Sequence, residues 1–459
     1  MPRSTGVLQI GVNLVRNAFA GFAAMAAWAA VGVWVARTRG VETWGLLTLF
    51  ASAQVLATAL EFGLSLYITR RVARTVRKWP VRVLGAAEAL SFAQAACMVL
   101  IGGVLVATGA GRALSASALD SDTVTRCLGW IALAVACAWP ATLYRAVLAG
   151  LGSQAAFARS LAYFGVARIV VVVPVLAAGG SPELAFAGMG LVGLIESVVS
   201  RRLALERTAR FSFRRASPHG IRRLLRRTVK VGTSASLIGL NGSLDKFVVA
   251  SVLDLRMVAL YNSAWMVCSA ALWTLQPVAQ SLYPRICQTV HDPKALWHTN
   301  MLLSGAVALI LIPAAVVALL VGRILGPIWF EDPHSRAIFF YFVATLLVGV
   351  GINSQTLLSW YAGLASDDTR RNLHVGLVAA AFTAFAFPAL LATNGFPVAP
   401  SSWLFINMLT LLYPVVAMAI RLRRVGTVLL IAGGIIGVVA LSGLFLLPTP
   451  LAAVLGAGP

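Results

Sequence analysis

Charge is scarce in this chain of 459 residues, and acidic charge scarcest: 11% of residues are charged, with 15 Asp and Glu against 37 Lys and Arg. A soluble domain carries roughly 25% charged residues, so a water-soluble globular enzyme is excluded at the outset. Cysteine and histidine are also few, five of each. Cys97, Cys127, Cys137, Cys268 and Cys287 stand apart in apolar segments with no CxxC spacing, and the histidines are dispersed through loops and span ends. That pattern excludes a zinc site and a disulfide framework, and the cysteines read as small buried hydrophobes. There are no paired carboxylates, no nucleophile arrangement and no phosphate-cradling loop, so the chain is read as a non-enzyme without metal or cofactor. Nothing resembles a selectivity filter or a ring of like charge, which argues against a channel.

What is abundant is apolar residues, 59% of the chain. A membrane core of about 30 Å takes roughly 20 helical residues to cross, and runs of that length recur over almost the whole sequence. Twelve spans are expected, near 11–36, 44–67, 83–109, 124–144, 161–178, 184–200, 231–253, 258–282, 300–322, 337–360, 373–393 and 402–420, with a further apolar run at 426–447. The first run is read as a retained span and not a cleaved signal, because Arg16 interrupts what would be its apolar centre and the run continues to Ala36.

The basic residues set the orientation. Twenty of them fall in three loops: Arg70 to Arg82, the segment Arg201 to Lys230, and Arg421 to Arg424. The opposite loops hold Asp120, Asp122, Glu183, Glu331 and Asp332. Because cytoplasmic loops carry the Lys/Arg excess, those three loops and the N-terminus are expected to face the cytoplasm. The net charge of +22 is then topogenic and meets anionic lipid headgroups, not nucleic acid. The run RRLLRR, Arg222 to Arg227, with Leu224 and Leu225 inside it, reads as a short amphipathic helix linking two halves.

A shift of about 213 to 216 residues aligns the chain with itself: LAGLGS (148–153) faces YAGLAS (361–366), and LYITR (66–70) faces LYPRI (282–286). The expected architecture is all-α, with a six-helix half at 1–200, a basic linker at 201–230, a second half at 231–424 and an additional segment at 425–459. An even number of spans per repeat gives both halves one orientation, the arrangement of parallel-repeat transporters that rock around a central site.

Three stretches carry a family resemblance: EFGLSLYITRRVA (61–73), YRAVLAGLGSQAAFARSLAYFGVAR (144–168), and SLDKFVVASVLDLRMVALYNSAWMV (243–267) before LYPR. Together they resemble the polysaccharide transporters and O-antigen flippases of the multidrug/oligosaccharidyl-lipid/polysaccharide exporter superfamily. The chain departs from that pattern at Ala259, where the family often has Gly, and in its thirteenth run. The resemblance implies two six-helix bundles around a V-shaped, MATE-like cavity. It further implies transport of undecaprenyl-pyrophosphate-linked oligosaccharide from inner to outer leaflet for O-antigen or exopolysaccharide synthesis, alongside a polymerase and chain-length machinery. The competing readings are a multidrug or lipid II exporter of the same superfamily and, from another class, a membrane-embedded polysaccharide polymerase or ligase.

The chemistry falls to the few ionisable groups within spans: Arg16, Glu61, Glu88, Arg168, Glu196, Asp245 and Lys246. Each costs about 2.5–3.5 kcal/mol at a span centre on insertion scales, so each should face a wet cavity or a partner. Arg16 shares a helix face with Asn13 and Asn17, and Arg168 is set for Glu196 or Glu88. Glu61, just before Gly63, suits a proton-responsive acid or a counter-ion to Lys246 or Arg16. Asp245 and Lys246, turned about 100° apart on a helix, are not expected to pair with each other, and Gly242 leaves room beside the lysine. Tyr261, Trp265 and Trp273 share a helix face and suit either packing or stacking on sugar rings. The candidate cavity set is Asn13, Arg16, Asn17, Arg168, Asp245, Lys246 and Tyr261, with Asp245 and Glu61 as candidates for ion coupling.

Overall fold

The computed structural model describes residues 27–74, 81–114, 119–151, 153–208, 216–270, 272, 293–365 and 370–410. Among these every regular element is helical. They are α1 (27–38), α2 (Val41–Ala59), α3 (Leu64–Arg74), α4 (Val81–Ala107), α5 (Ser121–Gly150), α6 (Gln154–Ala177), α7 (Pro182–Arg207), α8 (Pro218–Val252), α9 (255–270), α10 (Pro293–Trp329), α11 (Pro333–Ala365), α12 (Arg370–Ala381), α13 (Phe387–Asn394) and α14 (401–410). Six stretches among them are long and apolar enough to cross a membrane: Val83–Ala107, Ser121–Gly150, Pro182–Arg207, Leu311–Trp329, Pro333–Ser354 and Leu373–Asn394. The expected span at 426–447 and the basic loop 421–424 lie outside the described residues.

Helix starts follow the chemistry of the preceding residue. Asp120, Ser181 and Ser217 each accept a hydrogen bond from a backbone N–H in the first turn, of Thr123, Leu184 and Gly220 respectively, satisfying donors that no carbonyl reaches. Pro182 and Pro218 occupy the first turn, where a missing N–H costs nothing. The starts at 41, 81, 121 and 154 recur at 255, 293, 333 and 370. Those displacements of 212 to 216 residues are in keeping with the repeat period read in the sequence.

Two expectations are corrected here. The second span does not run unbroken from 44 to 67, because Leu60 to Gly63 form a turn with Phe62 at φ 48° and Gly63 at φ 71°. Glycine adopts that left-handed backbone freely and phenylalanine does so at a cost, so surrounding structure must hold it. The basic run 222–227 is not a separate short helix either. It forms the opening turns of α8, one continuous helix from Pro218 to Val252, because nothing between Arg227 and Val231 breaks helical geometry.

The chain partitions into two compact units, Glu42–Arg256 and Met1–Val41 with Met257–Pro459. In the first, α5 is the hub, packed on α7, α4 and α3. Its contact with α7 is close because Gly193 sits against Ala138 and Gly190 against Ala134, the small-residue packing that lets helices approach in a bilayer. A second core gathers Leu64, Ile68 and Val72 of α3, Leu84 and Ala87 of α4, Leu143, Tyr144 and Val147 of α5, Ala204 of α7 and Leu224 of α8. In the other unit, α10 packs on α11. There α12 passes through a π-helical turn, Phe382–Ala386, into α13. Pro388 follows that turn and has no N–H to continue the α-helical ladder.

Candidate functional site

Two groups of side chains built on buried carboxylates stand out in the Glu42–Arg256 unit. The first is a charge lattice tying four helices. Glu196 of α7, 0% exposed, accepts from Arg145 of α5 at 2.8 Å and from Arg168 of α6 at 2.5 Å. Glu88 of α4, also 0% exposed, accepts from Arg201 of α7 at 2.7 Å and from the Tyr144 hydroxyl at 2.9 Å. Neighbouring residues of α5 thus serve two carboxylates, and α7 supplies an acid to one and a base to the other. A carboxylate that leaves water needs such charged donors to offset its desolvation.

Glu61 lies beside this lattice at the turn between α2 and α3. Its Oε1 accepts from the backbone N–H of Ser65 at 3.2 Å and from the Ser65 hydroxyl. The turn also abuts α8: a Cβ on Gly232 would overlap the Phe62 carbonyl. Only glycine permits so close an approach of backbone to backbone.

The second group is Asp245 with Lys246, 1% and 3% exposed. Contrary to the expectation from helical geometry, they pair: Lys246 Nζ donates to Asp245 Oδ1 at 2.9 Å and to the Gly242 carbonyl at 2.6 Å. The reason is the flexible four-carbon stem, which folds back along its own helix past Gly242, where a Cβ would meet nothing within 4 Å. The room beside the lysine was legible, and the use made of it was not.

The remaining candidates are dispersed. Asn13, Arg16, Asn17, Trp273 and Cys287 lie outside the described residues. Tyr261, in the other unit, is 0% exposed and edge-on to Phe342 with ring centroids 5.4 Å apart, while Trp265 meets Trp403 edge-on at 4.5 Å. Arg168 has the partner Glu196 from the expected choice, and Glu88 goes to Arg201 instead. Of the cysteines, Cys127 and Cys268 are buried as read, whereas Cys97 is exposed. No group of metal-binding side chains occurs among the described residues.

Sequence reasoning missed Arg145 and Arg201. Both stand one residue past a span boundary drawn at 144 and at 200, so both counted as loop residues. The signal was the helix continuing, since α5 runs to Gly150 and α7 to Arg207.

Comparison with known proteins gives the family. Residues 19–290 match the family described as polysaccharide biosynthesis protein. No curated protein sequence matches. Among solved structures, the chain is similar to the lipid II flippase MurJ in an inward closed conformation, at 11% identity and TM-score 0.72, over 97% of this chain and 93% of that one. It is similar to an inward-facing multidrug resistance MATE transporter of the MOP superfamily, at 13% identity and TM-score 0.66, over 94% and 96%. A MOP superfamily transporter from Pyrococcus furiosus, whose binding pocket is described as reversed in polarity, matches at 15% identity and TM-score 0.59, over 90% and 95%. The fold is therefore the one these solved structures share, and its apolar helices are those of a multi-pass membrane protein.

Proposed function

This chain belongs to the polysaccharide biosynthesis protein family, and from that premise we propose that it flips undecaprenyl-pyrophosphate-linked oligosaccharide from the inner to the outer leaflet of a bacterial cytoplasmic membrane. Transport proceeds by alternating access between two bundles, with the N-terminus and the basic loops on the cytoplasmic side, and feeds O-antigen or exopolysaccharide synthesis. The halves are 1–200 and 231–424, joined by 201–230. A polymerase and chain-length machinery receive the product.

One observation carries this reading. The family match, 19–290, contains every buried charged side chain of the described residues, Glu88, Glu196, Asp245 and Lys246, together with the arginines that accompany the two glutamates. A pyrophosphate-linked sugar needs positive charge for its head group and uncharged polar surface for its sugars, while its polyprenyl tail stays in lipid. In this proposal Arg16, Arg168 and Lys246 supply the positive charge and Asn13 and Asn17 uncharged polar surface, and Tyr261, covered by Phe342 in this structure, reaches the sugar only when transport uncovers it. Asp245 and Glu61 exchange a proton or sodium ion as the bundles rock. A multidrug exporter, whose substrates are mostly cations, is disfavoured by the excess of arginine over acid.

The experiment is deletion of the gene in a strain that makes surface polysaccharide. The expected result is loss of surface polymer with lipid-linked precursor retained on the inner leaflet, both restored by the intact gene. Normal surface polymer with no accumulated precursor overturns the proposal.

A further inference from the structure

The break between α2 and α3 strands a backbone carbonyl, and the side chain that serves it sits in the middle of α4. In an unbroken helix the N–H of Leu64 would donate to the Leu60 carbonyl. Here that N–H donates to the Glu61 carbonyl, at 3.0 Å, so the Leu60 carbonyl must find a donor elsewhere. Gln94 supplies it: Nε2 donates to the Leu60 carbonyl at 2.7 Å, while Oε1 accepts from the Trp139 indole at 3.2 Å. An indole N–H can only donate, so Trp139, 3% exposed on α5, fixes which end of the amide faces the turn. A glutamine suits this place because its amide bridges a donor and an acceptor without adding charge beside Glu61.

The far side of the turn ends on the same stretch of α5. The Ser65 hydroxyl has one proton and two acceptors, Glu61 Oε1 and, at 3.5 Å, the Thr142 carbonyl. Thr142 in turn donates from its own hydroxyl to the Trp139 carbonyl at 2.8 Å. Glu61 is thereby held from both sides, its peptide unit with Leu60 by Gln94 and its carboxylate by Ser65. Its other oxygen, Oε2, has no hydrogen-bond or ion-pair partner among the described residues, and the side chain is half-buried.

We infer that Gln94 is a positioning residue for transport: oriented by Trp139, it holds the Leu60–Glu61 peptide so that one oxygen of Glu61 rests on Ser65 and the other stays open to the exchanging ion. This rests on the reading of Glu61 as an ion-coupling carboxylate. Gln94 acts through that carboxylate and touches no cargo.

The test treats the purified full-length chain, in neutral detergent, with a hydrophobic carbodiimide, which modifies protonated carboxyl groups in apolar surroundings. The rate at Glu61 is read by mass spectrometry, with buried Glu88 and Glu196 followed in the same samples. Gln94→Met keeps the length of the side chain and loses both hydrogen bonds. It is expected to speed modification of Glu61 by about two- to tenfold, the factor one neutral hydrogen bond carries, with Glu88 and Glu196 at the parent's rates. Trp139→Phe removes only the orienting donor and should give a smaller rise. An unchanged rate at Glu61 in Gln94→Met overturns the inference, and so does a rise shared by Glu88 and Glu196, which marks a general loosening of the bundle. In cells, Gln94→Met at the parent's membrane level should lower export of surface polymer by a similar factor. Unchanged export, where Glu61→Gln stops it, overturns the transport role. Normal export by Glu61→Gln sinks instead the reading of Glu61, and the role of Gln94 in transport with it, so the two failures are separately visible.

Discussion

Replacing Glu196 should separate a lattice that holds helices together from a pair that happens to sit between them. Glu196 is 0% exposed and is the shared acceptor of Arg145 and Arg168. Glu196→Leu fills similar volume but leaves two guanidinium groups facing apolar surface, and breaking a buried pair by removing one partner costs about 3–5 kcal/mol. Arg145→Gln removes one donor only. The carboxylate keeps Arg168 at 2.5 Å, so the loss is that of one charge-assisted hydrogen bond, about 1.5–3 kcal/mol. The double variant removes the acid and one of the stranded bases together. Its cost should therefore fall short of the sum of the singles by about 1–2 kcal/mol, the size of coupling found between contacting residues.

The assay is reversible unfolding in mixed micelles at increasing denaturing detergent, followed by tryptophan fluorescence. Glu196→Leu within about 1 kcal/mol of the parent would refute the reasoning, since it would mean that water already solvates the arginines. Strict additivity of the double variant would refute it equally, because the two side chains would then not share their charge. The 18% exposure of each arginine side chain places the expected values toward the lower end of these ranges.

Further consequences can be checked alongside. Asp245→Ala and Lys246→Ala, made separately and stably inserted, should each abolish export of surface polysaccharide, read by surface staining against protein level in the membrane; export at the normal rate in both removes the pair from the transport cycle. Gly232→Ala places a methyl group into the Phe62 carbonyl and should cost about 1–3 kcal/mol by the same unfolding assay, as overpacking does, whereas Gly242→Ala, inside α8 with open space around its Cβ, should be neutral or stabilise by up to about 1 kcal/mol. Tyr144→Phe strips one donor from buried Glu88 and leaves Arg201 in place, for an expected loss of about 1–2 kcal/mol.

Much of the fold could be read from the sequence because hydropathy and helix length are set by the same bilayer dimension. The stretches 83–109 and 373–393 match helices to within a few residues, and the exporter-superfamily fold follows from them and the family marks. What could not be read depends on where a helix ends in relation to its charges. Composition places a span boundary at the first arginine, yet a backbone already hydrogen-bonded as helix has no reason to stop there when a carboxylate on a neighbouring helix accepts the charge. Arg145 and Arg201 were lost to that rule. The turn at Phe62 was hidden for a different reason, since the stretches on either side are apolar and a non-glycine residue in the left-handed region is held by tertiary contacts, Gln94 with the Leu60 carbonyl and the close approach of Gly232 to Phe62. The Asp245–Lys246 pair failed a geometric argument that is sound for short side chains and weak for lysine, whose reach exceeds the separation of two faces.

The distribution of buried polarity differs between the two units in a way that bears on motion. In Glu42–Arg256 the buried polar side chains include four charged ones, whereas in the other unit they are uncharged: Asn262, Ser263, Ser335, Ser354, Thr383, Ser402 and Asn407 among the described residues. Within its helix packing there, Asn353 donates to Asn407 at 2.6 Å and Thr383 meets Ser402 at 3.0 Å, both neutral links, while Ser335 at the start of α11 donates to Asp332. Neutral hydrogen bonds contribute about 0.5–1.5 kcal/mol each and can be exchanged one for another, while a buried carboxylate cannot release an arginine without a replacement charge. The charged lattice therefore keeps α4, α5, α6 and α7 together as a body, with α3 and the start of α8 packed onto it through Ile68, Val72 and Leu224, and rearrangement within the unit falls to the turn at Glu61 to Gly63 and the part of α8 seated against it. That assigns flexing to the α2–α3 turn and not to the helix bundle behind it. Disulfide cross-linking of α5 to α7 should accordingly leave activity intact, while a cross-link from α3 to α8 should stop it.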